Sequence, residues 1–294
     1  MKVALYGKRF DEEHTGAVEK LVDALVRRGI AITVYEKFHH FLSARISLPS
    51  TVTIFRDHTE LAGTQFLLSV GGDGTLLDTV SIIRDSKVPV LGVNTGRLGF
   101  LSNVSLNEID ISVEALMNGD YTLDSRSLLE IRSAQQDFGD FPYALNEVTV
   151  LNKQRNSMVT IHTYVNDLFM STYWADGLIV ATPTGSTAYS LSCGGPIVMP
   201  ESNAVILTPI APHNLNVRPF VISNTSKVSF RAEGRDAEFL LSLDSRSFSI
   251  DTFTVVELTR APFQVNLVSF EGQSFFNTIR TKMGWGLDAR SKKQ

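Results

Sequence analysis

The chain has 294 residues, of which 43% are hydrophobic, and its formal net charge is −4, so it is long enough for about two domains with buried cores. The mild acidity and the lack of a lysine- and arginine-rich run argue against nucleic-acid binding, and no unbroken apolar run approaches the roughly 18 residues of a membrane span. The single cysteine, Cys193, excludes an intrachain disulfide and a cysteine-based zinc cluster, and the N-terminal segment lacks the apolar stretch of a secretory signal, so we predict a cytoplasmic location.

The first part of the chain predicts an α/β domain with a parallel sheet. Residues 2–7 form a short apolar strand, apolar side chains at helical spacing follow, and residues 30–35 form a second strand. The order is repeated by a strand at 66–70, a helix at 76–86 and a strand at 88–93. Strand–helix–strand units of this length predict a parallel sheet that binds ligands at the carboxyl ends of its strands.

A glycine-rich loop with the sequence GGDGT follows the strand at 66–70. Gly71, Gly72 and Gly74 permit positive φ angles and close backbone approach, so several N–H groups can converge on an anion at the start of the next helix. The loop therefore suits a phosphate. The alternative is a tight turn in which Asp73 caps the helix, and the motif alone does not separate the two.

A second glycine-rich segment, GVNTGRLGFL at 92–101, follows the next strand. It supplies a side-chain amide in Asn94, a cation in Arg97 and an aromatic ring in Phe100. Such a ring can stack on a nucleobase or enter the core, and for a single phenylalanine the core is the more common place.

After about residue 123 alternating apolar and polar residues predict a mostly antiparallel, sandwich-like β domain. Asn166 and Asp167 are predicted to form the tight turn of a hairpin. The tail regains helical character and is predicted to pack on the first domain. The predicted domains are thus 1–123 with 265–294, and 124–264.

Two polar segments interrupt this β-rich half. Residues 182–190 are dense in small hydroxyl side chains, which with oriented N–H groups can bind a phosphate-bearing ligand without net positive charge, although a helix cap is the simpler explanation. Asn146 and Glu147 form a polar pair in an otherwise apolar strand. Buried polar groups need partners, and either protein groups or a ribose and a base edge would satisfy this pair. Cys193 lacks an evident activating neighbour and is predicted to be structural.

In this order and spacing, the four segments resemble the NAD kinase family, which transfers the γ-phosphoryl group of ATP to the 2′-hydroxyl of the adenosine ribose of NAD and so makes NADP. The resemblance covers nearly the whole chain. GGDG alone is shared with diacylglycerol and sphingosine kinases and with phosphofructokinases, whereas its combination with GVNTGRLGF, the Asn146–Glu147 pair and TPTGSTAYSLSCGGP is far more specific. The resemblance implies an α/β domain completed by the C-terminal tail, a β-rich domain between, and a homo-oligomer, either a dimer or a tetramer.

The resemblance also implies roles for individual residues. Asp73 corresponds to the catalytic aspartate at the 2′-hydroxyl, within the phosphate loop of Gly71, Gly72 and Gly74, and Phe100 lies near the adenine. The remaining residues contact the dinucleotide: Asn146, Glu147, Asp176, Thr184, Thr187, Ala188, Tyr189, Ser190, Leu191, Ser192 and, through its backbone, Ala211. Two positions depart from the family pattern: Trp174 and Asp78 stand where relatives carry positive charge, which bears on NAD versus NADH discrimination and on ATP binding.

Phosphoryl transfer requires an aligned acceptor hydroxyl and neutralisation of the phosphoryl charge. We therefore expect ATP with Mg²⁺ or another divalent cation as the donor and NAD as the acceptor, with Asp73 either accepting the hydroxyl proton or holding the metal. The sequence identifies no separate set of metal ligands. Two alternative functions are a GGDG-type lipid kinase acting on diacylglycerol or sphingosine, and a non-catalytic NAD(P)-binding protein.

Overall fold

The computed structural model describes residues 1–96, 99–153, 158–235 and 238–285. The chain divides into two compact units, one formed by Met1–Ser125 with Val265–Gln294 and the other by Arg126–Gln264. Arg97, the cation predicted in the second glycine-rich segment, lies outside the described residues.

The first unit is an α/β domain with a parallel sheet. Its elements are β1 (Lys2–Gly7), α1 (Thr15–Arg27), β2 (Ala31–Tyr35), α2 (Glu36–Ser43), β3 (Thr53–Phe55), β4 (Phe66–Val70), α3 (Asp73–Ile83), β5 (Val90–Asn94), β6 (Val104–Ser105) and α4 (Ile109–Asn118). Five of the strands follow the order β3-β2-β1-β4-β5, with β6 beside β5, and all of these pairs are parallel. Every residue of β4 and β5 is buried, which explains why these strands appear in the sequence as continuous apolar runs.

The second unit is built from antiparallel strands. Its elements are β7 (Thr122–Arg132), β8 (Tyr143–Ala144), β9 (Glu147–Asn152), β10 (Val159–Val165), β11 (Leu168–Ala175), β12 (Gly177–Ala181), α5 (Tyr189–Ser192), β13 (Ala204–Ile210), β14 (Phe220–Ser223), β15 (Val228–Glu233), β16 (Glu238–Leu243), β17 (Arg246–Asp251) and β18 (Val255–Ser269). One sheet has the order β14-β13-β12-β9-β16-β17, and β11-β10-β15-β18 form a second ladder. The predicted hairpin turn is confirmed, since Asn166 and Asp167 both have positive φ angles, 51° and 65°, as a type I′ turn requires.

A single apolar core joins the two ladders of the second unit. It includes Val148 and Val150 of β9 together with Ile161 of β10 and Phe230 of β15, all almost fully buried. Packing of two antiparallel sheets through their inner faces is the arrangement of a β-sandwich. The predicted fold class is therefore confirmed for this half of the chain.

The C-terminal segment belongs to the first unit. Leu267, near the end of β18, pairs in parallel with Val90 of β5, and helix α6 (Phe275–Met283) follows. Asn103 and Gln273 exchange hydrogen bonds, from Nδ2 of Asn103 to Oε1 of Gln273 (3.1 Å) and from Nε2 of Gln273 to the carbonyl of Asn103 (3.4 Å). The predicted return of the tail to the first domain is confirmed. Among the described residues, no helix is long and apolar enough to span a membrane.

Candidate active site

The GGDG loop lies at the carboxyl end of β4 and opens helix α3. Gly71 has a φ of +149°, and a Cβ built on it would lie 2.4 Å from Oγ1 of Thr75, so both its backbone angle and its packing require glycine. Gly72 is the N-cap residue of α3 and contributes no side-chain cap. The start of α3 is thus an open helix N-terminus at the edge of a parallel sheet, which is a favourable place for an anion.

The Asp73 carboxylate is bound by the second glycine-rich segment. It accepts hydrogen bonds from three consecutive backbone N–H groups: Oδ2 from Phe100 (2.7 Å), and Oδ1 from Leu101 (3.0 Å) and Ser102 (2.9 Å). A Cβ on Gly99 would lie 1.8 Å from Oδ1 of Asp73, so only glycine at 99 lets the loop close on the carboxylate. The side chain therefore links two motifs of the first unit instead of capping its own helix.

Asn94 shapes the loop that binds Asp73. Its Nδ2 donates to the carbonyl of Ser102 (3.3 Å), and its Oδ1 accepts from the N–H of Gly96 (2.6 Å). The N–H of Gly99 also donates to Ser102 (2.9 Å). These bonds fold the described part of the loop back on itself, which aligns its later N–H groups. Phe100 is half-buried, and the ammonium of Lys282 lies 4.8 Å from the centre of its ring.

A cavity of about 950 Å³ opens at the carboxyl ends of β1 and β2. Its walls combine cations with aromatic rings, and the lining residues are Tyr6, Gly7, Lys8, Arg9, Tyr35, Lys37, Phe38, His40, Phe41 and Arg45. This composition suits a ligand with both a ring and negative charge. The sequence patterns did not predict a ligand-binding role for these residues. The available signals were the Lys8–Arg9 pair directly after the first strand and the aromatic-rich segment that becomes α2.

Asp78 forms an ion pair with Lys8. The side chain of Asp78 is largely buried whereas that of Lys8 is mostly exposed, so the cation extends from the carboxylate toward solvent. The pKa of Tyr6, a neighbour in the cavity wall, is raised by burial and further by the negative charge of Asp78. Asp78, which departs from the family pattern, is thus paired with a cation, Lys8, that directly follows β1.

In the second unit a buried aspartate positions the Asn146–Glu147 pair. The Asp244 carboxylate accepts hydrogen bonds from three consecutive N–H groups, those of Leu145 (2.7 Å), Asn146 (2.8 Å) and Glu147 (3.1 Å). Burial raises the pKa of Asp244, while the three donors and the charge of Arg246 oppose that rise. Sequence reasoning missed Asp244 because it occupies a β-turn at a φ of +50°, a place where aspartate is common without any further role.

The polar pair itself has unsatisfied acceptors. Oδ1 of Asn146 and Oε2 of Glu147 are buried and receive no hydrogen bond from the described residues. Burial, and then the nearby charge of Asp244, raise the pKa of Glu147 to about 8. Buried polar atoms without partners are rare in proteins. Two adjacent ones, on Asn146 just before β9 and on Glu147 at its first residue, indicate a ligand with hydrogen-bonding groups.

Most hydroxyl groups of the 182–190 loop are used within the protein. Oγ1 of Thr182 donates to the carbonyl of Leu145 (2.6 Å), Oγ of Ser186 donates to Pro183 (2.7 Å), and the hydroxyls of Ser190 and Thr208 lie 2.8 Å apart. Thr184 is buried too, and Nη1 of Arg126 donates to its hydroxyl (3.3 Å). These side chains fix the shape of the loop. Any contact that Thr184 or Ser190 makes with a ligand stays a prediction.

The loop leaves another set of predicted residues accessible. Tyr189 and Ser192 are exposed, and Thr187, Ala188 and Leu191 are half-buried. Gly185 holds the loop against the polar pair, since a Cβ there would lie 2.1 Å from the carbonyl oxygen of Asn146. The accessible part of the loop is thereby placed beside the strand that carries Glu147.

Asp176 and Ala211 lie at the opposite end of β12, where the N–H of Asp176 donates to Ile210 (2.9 Å) and both residues are exposed. Burial chiefly raises the pKa of Tyr189, with smaller contributions from Cys193 and the charge of Asp176. The charge of Glu147 likewise contributes to a raised pKa of Cys193, after burial. The loop after β12 therefore lies close to both carboxylates. The structure thus places the Asn146–Glu147 pair and the loop after β12 at one end of β12, and Asp176 and Ala211 at its other end.

Comparison with known proteins assigns the chain to a family. A family model for the ATP-NAD kinase N-terminal domain matches residues 3–121, and one for the ATP-NAD kinase C-terminal domain matches residues 145–270. A NAD kinase of Cytophaga hutchinsonii is 42% identical over 292 residues, covering 99% of this chain and 100% of the relative. The chain belongs to the NAD kinase family. A NAD kinase of Bacteroides fragilis is similarly related, with 39% identity, 99% coverage of this chain and 100% of its own.

Solved structures of NAD kinases share the fold. A NAD kinase from Archaeoglobus fulgidus, in complex with ATP, has a TM-score of 0.73 at 26% identity and covers 97% of this chain and 99% of its own. Yeast NADH kinase, in complex with NADH, has a TM-score of 0.87 at 22% identity, with 98% of this chain and 89% of its own covered; this likeness bears on the fold alone. The predicted family, fold class and phosphotransferase class are confirmed, and these matches do not support the lipid-kinase or non-catalytic alternatives.

Proposed function

We propose that this member of the NAD kinase family transfers the γ-phosphoryl group of ATP to the 2′-hydroxyl of the adenosine ribose of NAD and releases NADP. The observation that carries this proposal is the pair of buried oxygens on Asn146 and Glu147 that receive no hydrogen bond from the described part of the chain. A ribose offers hydroxyl donors and a nucleobase offers amino donors, whereas the hydrocarbon part of a lipid offers neither. A buried pair of this kind therefore suits a nucleoside. Without hydrogen-bond donors from a ligand, the two buried oxygens would lower the stability of the folded protein.

Asp73 is the group we propose to orient the 2′-hydroxyl. A carboxylate has about four acceptor positions, and three of those on Asp73 are used by the N–H groups of Phe100, Leu101 and Ser102. Because Oδ1 receives two of these bonds and Oδ2 only one, a position on Oδ2 is left for the hydroxyl. The loop thus fixes the carboxylate while one acceptor site stays available to draw the proton from the attacking oxygen.

We propose that the cation- and aromatic-lined cavity of the first unit holds the donor ATP. The carboxyl ends of parallel strands are the usual ligand-binding edge of such a sheet, and Lys8, Arg9, Lys37 and Arg45 supply positive charge there. The chain has a net charge of −4, so a polyanion needs this local concentration of cations. The archaeal relative with 26% identity was solved in complex with ATP, which supports ATP as donor.

A divalent cation such as Mg²⁺ fits this arrangement, since Mg²⁺ is commonly held by one or two carboxylates together with substrate phosphates. Holding the ion through its one remaining acceptor position is the alternative role of Asp73, in place of accepting the hydroxyl proton. When bound, the ion would neutralise charge on the transferred phosphoryl group. The residues of the chain would align the hydroxyl and position the phosphates.

The test is direct synthesis of NADP. Purified protein is incubated with NAD, ATP and Mg²⁺, and the product is detected with an NADP-specific dehydrogenase. We expect NADP to accumulate and to require both substrates. Parallel reactions with diacylglycerol and with NADH measure acceptor choice. Phosphorylation of diacylglycerol without phosphorylation of NAD would overturn the proposal, and so would tight NAD binding without any transfer.

We also propose a homo-oligomer, a dimer or a tetramer, in a cytoplasmic location. Support for self-association comes from apolar side chains on the surface of the second unit: Leu168 and Phe169 at the start of β11, and Phe220 on β14, are all more than half exposed. Clustered exposed apolar side chains commonly mark protein interfaces. Light scattering of the purified chain will give its subunit number, and a monomer at micromolar concentration would contradict this part of the proposal.

A further inference from the structure

The C-terminal helix α6 places one lysine beside the GGDG motif. At its start Oγ of Ser274 accepts the N–H of Asn277 (3.2 Å), and at its end Gly284 adopts a left-handed φ of +64°, so both termini are fixed. Ile279 is buried and attaches the helix to the first unit. Lys282 lies in the last turn, and its backbone position is therefore well defined.

Two contacts connect this lysine to Asp73. Gln273, just before α6, is hydrogen-bonded to Asn103, which directly follows the segment that binds the Asp73 carboxylate. The Lys282 ammonium lies 4.8 Å from the ring centre of Phe100, and the N–H of Phe100 itself donates to Oδ2 of Asp73. Lys282 and Asp73 thus both contact Phe100: Lys282 contacts its ring, and Asp73 accepts a hydrogen bond from its backbone N–H.

The charge of Lys282 is not neutralised by an acid in the described part of the chain. Lys8, by contrast, is engaged with Asp78. A cation–π contact with an exposed lysine leaves the ammonium able to donate to an anion, because the group has three N–H donors and the ring accepts none of them strongly. Lys282 is therefore a cation available for a phosphate next to the proposed catalytic aspartate.

We propose that Lys282 binds the phosphoryl group on the 2′-oxygen, both during transfer and in the product, and so distinguishes NADP from NAD. This inference rests on the proposed function. In the transfer step the 2′-oxygen forms a bond to the γ-phosphorus, the bond from that phosphorus to the β–γ bridging oxygen breaks, and ADP leaves with the electron pair. The hydroxyl proton passes to Asp73. Lys282 keeps its proton and donates hydrogen bonds to the phosphoryl oxygens, whose negative charge NAD lacks at that position.

The experiment compares the binding of two ligands to each of four proteins by calorimetry, without ATP. The proteins are the wild type, Lys282→Ala, Lys282→Arg and Arg280→Ala. Arg280 is an exposed cation of the same helix, displaced by about 200° around the helix axis, and thus serves as the matched control. We expect Lys282→Ala to raise the Kd for NADP about tenfold or more, as loss of a charge-assisted hydrogen bond does, and to leave the Kd for NAD within about twofold.

The ratio of the two dissociation constants is measured within one protein, so partial loss of folded material affects both equally. Lys282→Arg should keep the ratio near that of the wild type, and Arg280→Ala should leave it unchanged. An equal loss of NAD and NADP affinity in Lys282→Ala would show that the lysine only packs on Phe100, and it would overturn the inference. A wild type that made no NADP from NAD and ATP would instead contradict the proposed function, whereas a selective loss of NADP affinity in Lys282→Ala would still support the contact of Lys282 with the 2′-phosphate.

Discussion

At the scale of residues, each unit contains an aspartate whose carboxylate accepts hydrogen bonds from three consecutive backbone N–H groups. Asp73 receives the N–H groups of three consecutive residues, 100–102, and Asp244 receives those of residues 145–147. Charge-assisted hydrogen bonds of this kind are about twice as strong as neutral ones, and three in a row define the path of the bound segment. In both cases that segment belongs to a motif predicted to bind substrate. Each carboxylate therefore acts as an anchor for a binding segment.

Gly99 leaves room for the Asp73 carboxylate to bind the 100–102 segment, so a larger residue at position 99 should impair catalysis. Gly99→Ala should displace the Asp73 carboxylate, because the new Cβ would lie 1.8 Å from Oδ1. We expect kcat to fall about 100-fold or more, the scale of a misplaced acid–base group, with a smaller change in NAD affinity. Steady-state kinetics and calorimetric titration measure the two quantities.

Gly96→Ala is the control for that experiment, since the nearest heavy atom to a Cβ on Gly96, among the residues that the structure describes, would be Oδ1 of Asn94 at 4.0 Å. It should leave kcat within about threefold of the wild type, the spread of a tolerated surface change. Equal kinetic losses in both variants would mean that loop flexibility, and not the position of the carboxylate, limits the reaction.

Glu147 predicts a pH dependence of stability. Its pKa in the folded protein is about 8, above the value of about 4.3 expected in the unfolded chain. The folded state therefore binds the proton more tightly, so the contribution of Glu147 to stability is complete below the unfolded pKa and is lost as pH rises toward and through 8.

The isosteric variant Glu147→Gln removes this titration. Its free energy of unfolding should fall less between pH 5 and pH 8.5 than that of the wild type, by on the order of 1–3 kcal/mol. Urea denaturation at the two pH values measures the difference. Parallel changes in the two proteins would show that Glu147 titrates normally. The control is Glu19→Gln, at an exposed position of α1.

At the scale of elements, most of the architecture follows from local pattern. Strands β1, β2, β4 and β5 agree with the predicted apolar runs to within about two residues, because parallel strands buried on both faces need such runs. The β10–β11 hairpin follows from its Asn-Asp turn. The cavity at β1 and β2 did not follow, since its wall is assembled from residues 6–9 and from α2, segments that are close only after the sheet has formed. The roles of Asp244 and Lys282 were not predicted from the sequence for the same reason. Each side chain contacts a segment that is about 100 or more residues away in the chain.

The Lys8–Asp78 ion pair gives a prediction at this scale, because it joins the end of β1 to α3 at the proposed donor site. Lys8→Ala removes a cation from the proposed donor site and keeps the negative charge of Asp78. We expect the KM for ATP to rise about tenfold, as for the loss of one charged contact, with the KM for NAD little changed.

The double variant Lys8→Ala/Asp78→Ala should recover part of the loss, because the negative charge of Asp78 is then removed together with the positive charge of Lys8. Additive effects of the two substitutions would show that the pair does not act as a unit at the donor site. Lys20→Ala, at an exposed position on α1, controls for the loss of one positive charge from the protein.

At the scale of the whole molecule, the proposed catalytic aspartate and the proposed nucleoside-binding pair belong to different units. The first unit carries the GGDG loop, its anchored aspartate and the cation-lined cavity, whereas the second carries the unpaired acceptors and the hydroxyl-rich loop. This division makes the two activities separable by mutation.

Asp73→Asn tests the separation. The amide has one oxygen in place of two, so it cannot accept all three N–H groups, and it is a far weaker base than the carboxylate. We expect kcat to fall about 100-fold or more while the Kd for NAD stays within a few-fold, because the nucleoside-binding residues belong to the other unit. Asp23→Asn, at an exposed position of α1, should change neither quantity. If Asp73→Asn kept most of its kcat, the only role of Asp73 would be to hold the 100–102 segment. Another carboxylate of the first unit would then have to accept the hydroxyl proton.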